Sequence, residues 1–433
     1  MTPDETAGAT TPFGRVMTSM VSSYVGAFIA LNVPVALLLT LHLTAMVGKA
    51  DVAGAIGVVT GAGAVAALVV NPLAGRVSDR TRLRFGQRRT WILTGGLAGA
   101  IAVTLMAFTT EVWQVVVGWC LVQALFNVQL ATTGALMADQ VPPARRGAIS
   151  GALGFTVAIG PLIGLVAVVP FAGWTQWLVL GVLAAVGAVL AVIFLRDPLR
   201  PVPPQPLGFR ALLTSYWVSP RRHPAFAWGW LVRFLVTAAG AAGSYNGVYL
   251  LQRMNVPESS LSGPVLTLST IYVVIGGFAS LAGGVLSDRL RRQKPFVLLA
   301  GVLIAAGLVM LAFAPSMDFV YVSTAISGVG AGIFLSVDVA LSSRLLPNAV
   351  DIGKDFAVIN LANTIPQSVV PLIAPLLLGL GGFTALYLTL AVIGLIGGIL
   401  VLRLPELGCE GDPRFALLTT ERPNQATAKE SVA

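Results

Sequence analysis

This chain has little charge: 45 of its 433 residues are Asp, Glu, Lys or Arg, 10% of the total, and 56% are hydrophobic. A soluble domain carries about 25% charged residues. With so little polar surface the chain cannot cover itself in water, and a lipid bilayer is the solvent that fits it. Histidine and cysteine are equally scarce. His42 and His223 are far apart, and Cys120 and Cys409 lie in an apolar run and a polar tail, so no disulfide and no metal-ligand spacing is expected. No Gly-x-Ser-x-Gly elbow and no phosphate loop ending Gly-Lys-Ser/Thr occurs, so neither an enzyme nor an ATP-driven pump is expected, and no cofactor. The segment before Ser19 has no apolar core and carries Asp4 and Glu5, so it reads as a cytoplasmic tail rather than a cleavable signal.

What remains is apolar and periodic. A spanning helix needs about 20 apolar residues, and twelve such segments are predicted: 24–47, 52–75, 91–109, 112–138, 149–170 and 175–195, then 225–251, 264–286, 296–314, 319–341, 356–380 and 383–402. The predicted organisation is an N-terminal tail (1–19), a six-helix half (20–195), a Pro/Arg-rich linker (196–224), a second six-helix half (225–403) and a polar tail (404–433). The fold class is therefore an all-α polytopic membrane protein of twelve transmembrane helices in two pseudo-symmetric halves.

The net charge of +9 does not point to nucleic acid, because the bases sit in short gaps between apolar runs. Only Lys49 and Arg253 fall in gaps of one parity. The other parity holds nearly all the rest, including Arg76, Arg80, Arg82, Arg84, Arg88 and Arg89 in one gap and Arg289, Arg291, Arg292 and Lys294 in another. Positive charge stays cytoplasmic, which places both termini and the linker there, in a multi-pass protein of the cell membrane.

The halves repeat. Gly75-Arg-Val-Ser-Asp79-Arg80 follows the second span, and Gly284-Val-Leu-Ser-Asp288-Arg289 follows the eighth. Arg145-Arg146-Gly147 precedes the fifth span, and Asp351-Ile352-Gly353-Lys354 the eleventh. A six-plus-six repeat belongs to secondary transporters.

Gly75-x-x-x-Asp79-Arg80 followed by Gly86-Gln87-Arg88-Arg89 resembles the loop motif of the major facilitator superfamily. Its stretched basic cluster is similar to that of the glycoside–pentoside–hexuronide cation symporters and the plant sucrose carriers. So are Asp139-Gln-Val-Pro-Pro-x-x-Arg146-Gly147, Trp228-x-Trp230-x-x-Arg233-Phe234 and the stretch from Asp338 through Gly353-Lys354-Asp355 to Asn360-x-x-Asn363-x-x-Pro366-Gln367. The resemblance implies alternating access by two rocking halves. It implies that Asp79 faces the start of the eleventh helix and Asp288 the start of the fifth, latching the cytoplasmic side. It also implies that helices one, four, seven and ten line a central cavity. The sodium-coupled members carry aspartates in the second helix and one in the fourth; 52–70 here has no acid and the fourth span has Gln123 and Asn127, so proton coupling, or no coupling, is expected.

The candidate residues follow from polarity inside apolar helices. Gly75 lacks a side chain and suits a close helix approach, while Arg80, Gly86, Arg88, Arg89 and Arg289 complete the loop motifs. An intramembrane cation such as Arg233 costs ~2.5–3.5 kcal/mol. Asp338, at similar depth, is its expected partner and the candidate proton carrier. Snorkelling of Arg233 and a permanent structural ion pair are the competing readings. Asn32, Gln123, Asn127, Asn360, Asn363 and Gln367 are amides that can bind sugar hydroxyls or join helices. Tyr245 and Asn246 follow Gly240-Ala-Ala-Gly243, where a helix can loosen. The resulting expectation is a monomeric, proton-coupled transporter of a small polar solute, a sugar or glycoside. The alternative is an exporter of drug-like or amphipathic metabolites.

Overall fold

A computed structural model describes residues 11–81, 83, 85–142, 145–197, 223–290, 292–344 and 352–404. The linker from 198 to 222 and the tail beyond 404 lie outside them. The described chain is helical throughout: α1 (Phe13–Val33), α2 (Leu39–Arg80), α3 (Gln87–Leu105), α4 (Val112–Gln140), α5 (Arg146–Val168), α6 (Trp174–Phe194), α7 (Pro224–Gly240), α8 (Asn246–Gln252), α9 (Ser262–Leu290), α10 (Lys294–Ala312), α11 (Met317–Arg344) and α12 (Ile352–Leu400). Among the described residues, ten stretches are long and apolar enough to cross a membrane. Two of these are far too long for one crossing at 1.5 Å per residue and about 30 Å of hydrocarbon. Phe13–Arg80 spans 68 residues and Leu361–Arg403 spans 43. The first breaks at Gly48, whose φ of 80° only glycine adopts readily, and the second at Gly381–Gly382. Each break divides its stretch into two crossings.

Helix α1 starts at Phe13, ahead of the tail boundary read at residue 19, because Val16 and Met20 are fully buried in an apolar cluster with Ile92, Leu136 and Ile149. At Pro34–Leu38 the helix widens into a π turn, which absorbs the N–H that Pro34 lacks. The loosening expected after Gly240 is real: Ala241–Tyr245 is a 3₁₀ turn between α7 and α8.

The chain forms two compact units. One comprises Met1–Pro206, Gly243–Val273 and Ser368–Phe383, the other Leu207–Ala242, Val274–Gln367 and Thr384–Ala433. Their division is not the linker alone, since two segments of the second half pack within the first unit. There Gly247 of α8 lies against Thr40 and the Ala36 carbonyl, and Gly57 of α2 against Pro375 and the Pro371 carbonyl. The Gln252 amide also donates to the Lys49 carbonyl. Inside each unit the repeat is visible in packing. Helix α6 closes on α1 at Gly187, where a Cβ would sit 2.7 Å from the Ser22 carbonyl oxygen. Equivalently, α12 closes on α7 at Gly397, where a Cβ would sit 2.9 Å from Cβ of Leu235. The two ends of the first half are tied together: the Thr11 hydroxyl donates to the Arg196 carbonyl at 2.8 Å and accepts from the Arg196 N–H at 2.9 Å.

Candidate functional site

In the second unit, Arg233 projects from α7 and Asp338 from α11. Their flanking residues Val232 and Val337 are buried in a cluster with Phe296, Val297, Ala300 and Ile333. Each helix thus turns an apolar stripe to the core and one charge out of it. Nη1 of Arg233 lies 2.9 Å from Oδ2 of Asp338, with the two side chains 15% and 5% exposed. Nε of Arg233 donates to Oδ1 of Asn363 at 3.0 Å, and the Thr237 hydroxyl, one turn along α7, donates to the same oxygen at 3.3 Å. The structure thus gathers three of the candidate residues into one polar cluster and adds Thr237. Two opposite charges offset each other's desolvation, so neither needs to snorkel.

Gln367 is exposed on α12, one turn past Asn363, and does not join the cluster. The side chains of Asn360 and Asp288 lie outside the described residues. Trp230 stacks on Phe234 with centroids 5.3 Å apart.

A second polar group forms in the first unit. Asn127 of α4 donates to the carbonyl and the side-chain oxygen of Gln123 at 2.8 and 3.3 Å. Asn71 of α2 donates to Oδ1 of Asn127 at 3.2 Å. Asn71 was invisible to a search for acids in the second span, although an Asn-Pro pair within an apolar run marks it. Asn32 bonds back to the Phe28 carbonyl of its own helix at 3.0 Å. Tyr245 is fully buried and donates to the Pro371 carbonyl at 2.9 Å, as a packing peg. Asn246 opens α8. His42, given no role above, meets the Thr109 hydroxyl at 2.7 Å and the edge of Trp177.

The loop motif after α2 is an internal ion cluster. Arg88, with a side chain 4% exposed, lies 2.5 Å from Asp79 and 2.9 Å from Asp139 at the end of α4, and donates to the Ser78 hydroxyl. Asp197, read from sequence as the start of a linker, accepts the backbone N–H groups of Arg88 and of Arg89, the latter at 2.9 Å. A carboxylate there answers the unsatisfied N–H groups of the α3 start. Gly86 makes room for it, with φ of 120° and a Cβ position 2.7 Å from the Asp197 carboxylate. Arg89 lies over the Phe85 ring at 4.6 Å. Arg80 is exposed. The close approach expected at Gly75 is absent among the described residues: a Cβ there would meet nothing within 4 Å. Among the described residues Asp79 pairs with Arg88; the side chains at the start of the eleventh predicted span lie outside them.

Long apolar helices, an internal repeat seen in both units, and ionisable groups paired inside the second define a polytopic membrane transport protein. The sequence model of the Major Facilitator Superfamily matches residues 16–269 and 260–420, and the chain belongs to that family of transporters. The chain is similar to the multi-drug resistance efflux pump PmrA of Streptococcus pneumoniae, 25% identical over 349 residues, 77% of this chain and 81% of that one. It is also similar to the general alpha-glucoside permease of Schizosaccharomyces pombe, 25% identical over 186 residues, 38% of this chain and only 30% of the permease. In fold it resembles a bacterial homologue of the human lysosomal transporter Spinster, with a TM-score of 0.67, 14% identity, and 90% and 96% of the two chains covered. A POT family transporter superposes with a TM-score of 0.68 at 13% identity, covering 90% and 95%.

Proposed function

We propose that this transporter moves a small polar solute, a sugar or glycoside, by alternating access of its two six-helix halves, and that Asp338 carries the coupling proton. The observation that carries this reading is the Arg233–Asp338 pair held by Asn363 and Thr237. A carboxylate whose partner is a guanidinium can exchange that partner for a proton, and the Asn363 amide beside it can hold a hydroxyl. The likeness to an alpha-glucoside permease supports the sugar class. In this reading Asp79 and Asp288 belong to the gating of the cytoplasmic side, the protein acts as a monomer, and both termini and the linker face the cytoplasm of a cell membrane. A cysteine placed at Gln205 is then labelled only from the inside.

Proteoliposomes provide the test. Under an inward proton gradient, wild-type protein is expected to accumulate a glycoside from a panel, while Asp338→Asn exchanges it across the membrane without accumulation. Accumulation that survives in Asp338→Asn removes this residue as the proton carrier. A second reading, export of drug-like or amphipathic compounds, is favoured by the broader match to the efflux pump. Gradient-driven extrusion of a lipophilic dye, with no response to any glycoside, selects it.

A further inference from the structure

Where α9 ends and α10 begins, Leu290, Arg292, Pro295, Phe296 and Leu299 line a cavity of about 550 Å³. We propose that this cavity binds an anionic phospholipid, the phosphate against Arg292 and an acyl chain along Leu290 and Leu299. Four of the five lining residues are apolar, and the fifth is a guanidinium. Leu290 and Leu299 are 56% and 45% exposed at the end of membrane-spanning helices, where hydrocarbon is their natural neighbour. Arg292 is exposed and makes no ion pair among the described residues. The segment 288–294 sets Arg289, Arg291, Arg292 and Lys294 against Asp288 alone. A cationic, half-apolar recess at a helix end matches an amphipathic anion.

Two other occupants fit less well. A free phosphate would satisfy Arg292 but leave most of a ligand-sized space and both leucines uncovered. The linker 198–222 contains Arg200, Arg210, Arg221 and Arg222 and no acid, so it repels this site. The tail that follows Leu404 carries Glu406, Glu410 and Asp412 beside Leu407, Leu417 and Leu418, so it is the competitor that the test separates from lipid.

The test uses full-length protein in a non-ionic detergent, titrated with fluorescent phosphatidylglycerol and with phosphatidylcholine of the same chains. Phosphatidylglycerol should bind about fivefold more tightly, the value expected for one basic contact. Arg292→Gln should erase that preference, and Arg292→Lys should keep most of it. Unchanged melting temperatures show that both variants fold. Equal affinity for the two lipids, or a preference that survives Arg292→Gln, overturns the proposal. Displacement of phosphatidylglycerol by millimolar inorganic phosphate would make this a small-anion site and overturns it too. So does a more than fivefold gain in lipid binding when Glu406→Gln, Glu410→Gln and Asp412→Asn are combined, because the tail is then the resident.

Discussion

The two halves share the motif Gly-x-x-x-Asp-Arg but place their buried charges differently. In the first half the ion cluster lies at the loop: Arg88 is enclosed by Asp79, Asp139 and Ser78, and the described helices carry amides such as Gln123, Asn127 and the fully buried Gln129. In the second half the loop arginines Arg289 and Arg292 are exposed and make no ion pair among the described residues, while the buried pair lies within α7 and α11. The repeated motif thus forms an internal brace in the first half, while the buried ion pair seen in the second half lies within its helices.

The largest effect is expected from breaking the brace. Arg88→Ala removes the cation 2.9 Å from Asp139, whose side chain is 13% exposed. The loss should approach ~3 kcal/mol, the low end for a buried pair because Asp79 is 42% exposed. It should appear as a clear fall in melting temperature of the detergent-solubilised protein. Next comes the pair in the second half. Single changes Arg233→Gln and Asp338→Asn should each destabilise by roughly 2–3 kcal/mol, and the double change by less than their sum. Additive losses would show that the two side chains act independently. A smaller effect, about 1 kcal/mol, is expected for Asp197→Asn, which keeps a hydrogen-bond acceptor at the α3 start but removes the anion. The smallest is Arg292→Ala, within about 0.5 kcal/mol as for an exposed surface residue. If Arg292→Ala matched Arg88→Ala in its melting shift, the contrast between the two loops would collapse.

Much of the fold was legible in the sequence because a bilayer imposes length and apolarity on every crossing segment. The residue 47–52 gap and the 380–383 gap became glycine breaks, and the loosened helix after Gly240 was signalled by its small residues. The Arg233–Asp338 pairing was legible because two isolated charges at similar depth have few other solutions. What escaped depended on long-range partners. Asp139 reaches Arg88 across 51 residues and Asp197 across 109, and neither contact follows from any local period. Asn71 escaped because it carries no charge, and the helical start of Phe13–Ser19 because its amphipathic pattern is too short to resemble a span.

The reciprocal hydrogen bonds between Thr11 and Arg196 have a consequence for connectivity. They bring the entrance and exit of the first six helices within a single side chain's reach, so that half is a ring in space although a line in sequence. A ring can be opened elsewhere. A short bridge joining 11 to 196, with new ends cut into the turn at Thr109–Glu111 between α3 and α4, would preserve every helix of the half. Six of the twelve crossings then become a permutable cassette, whose order along the gene is separable from its order in the membrane.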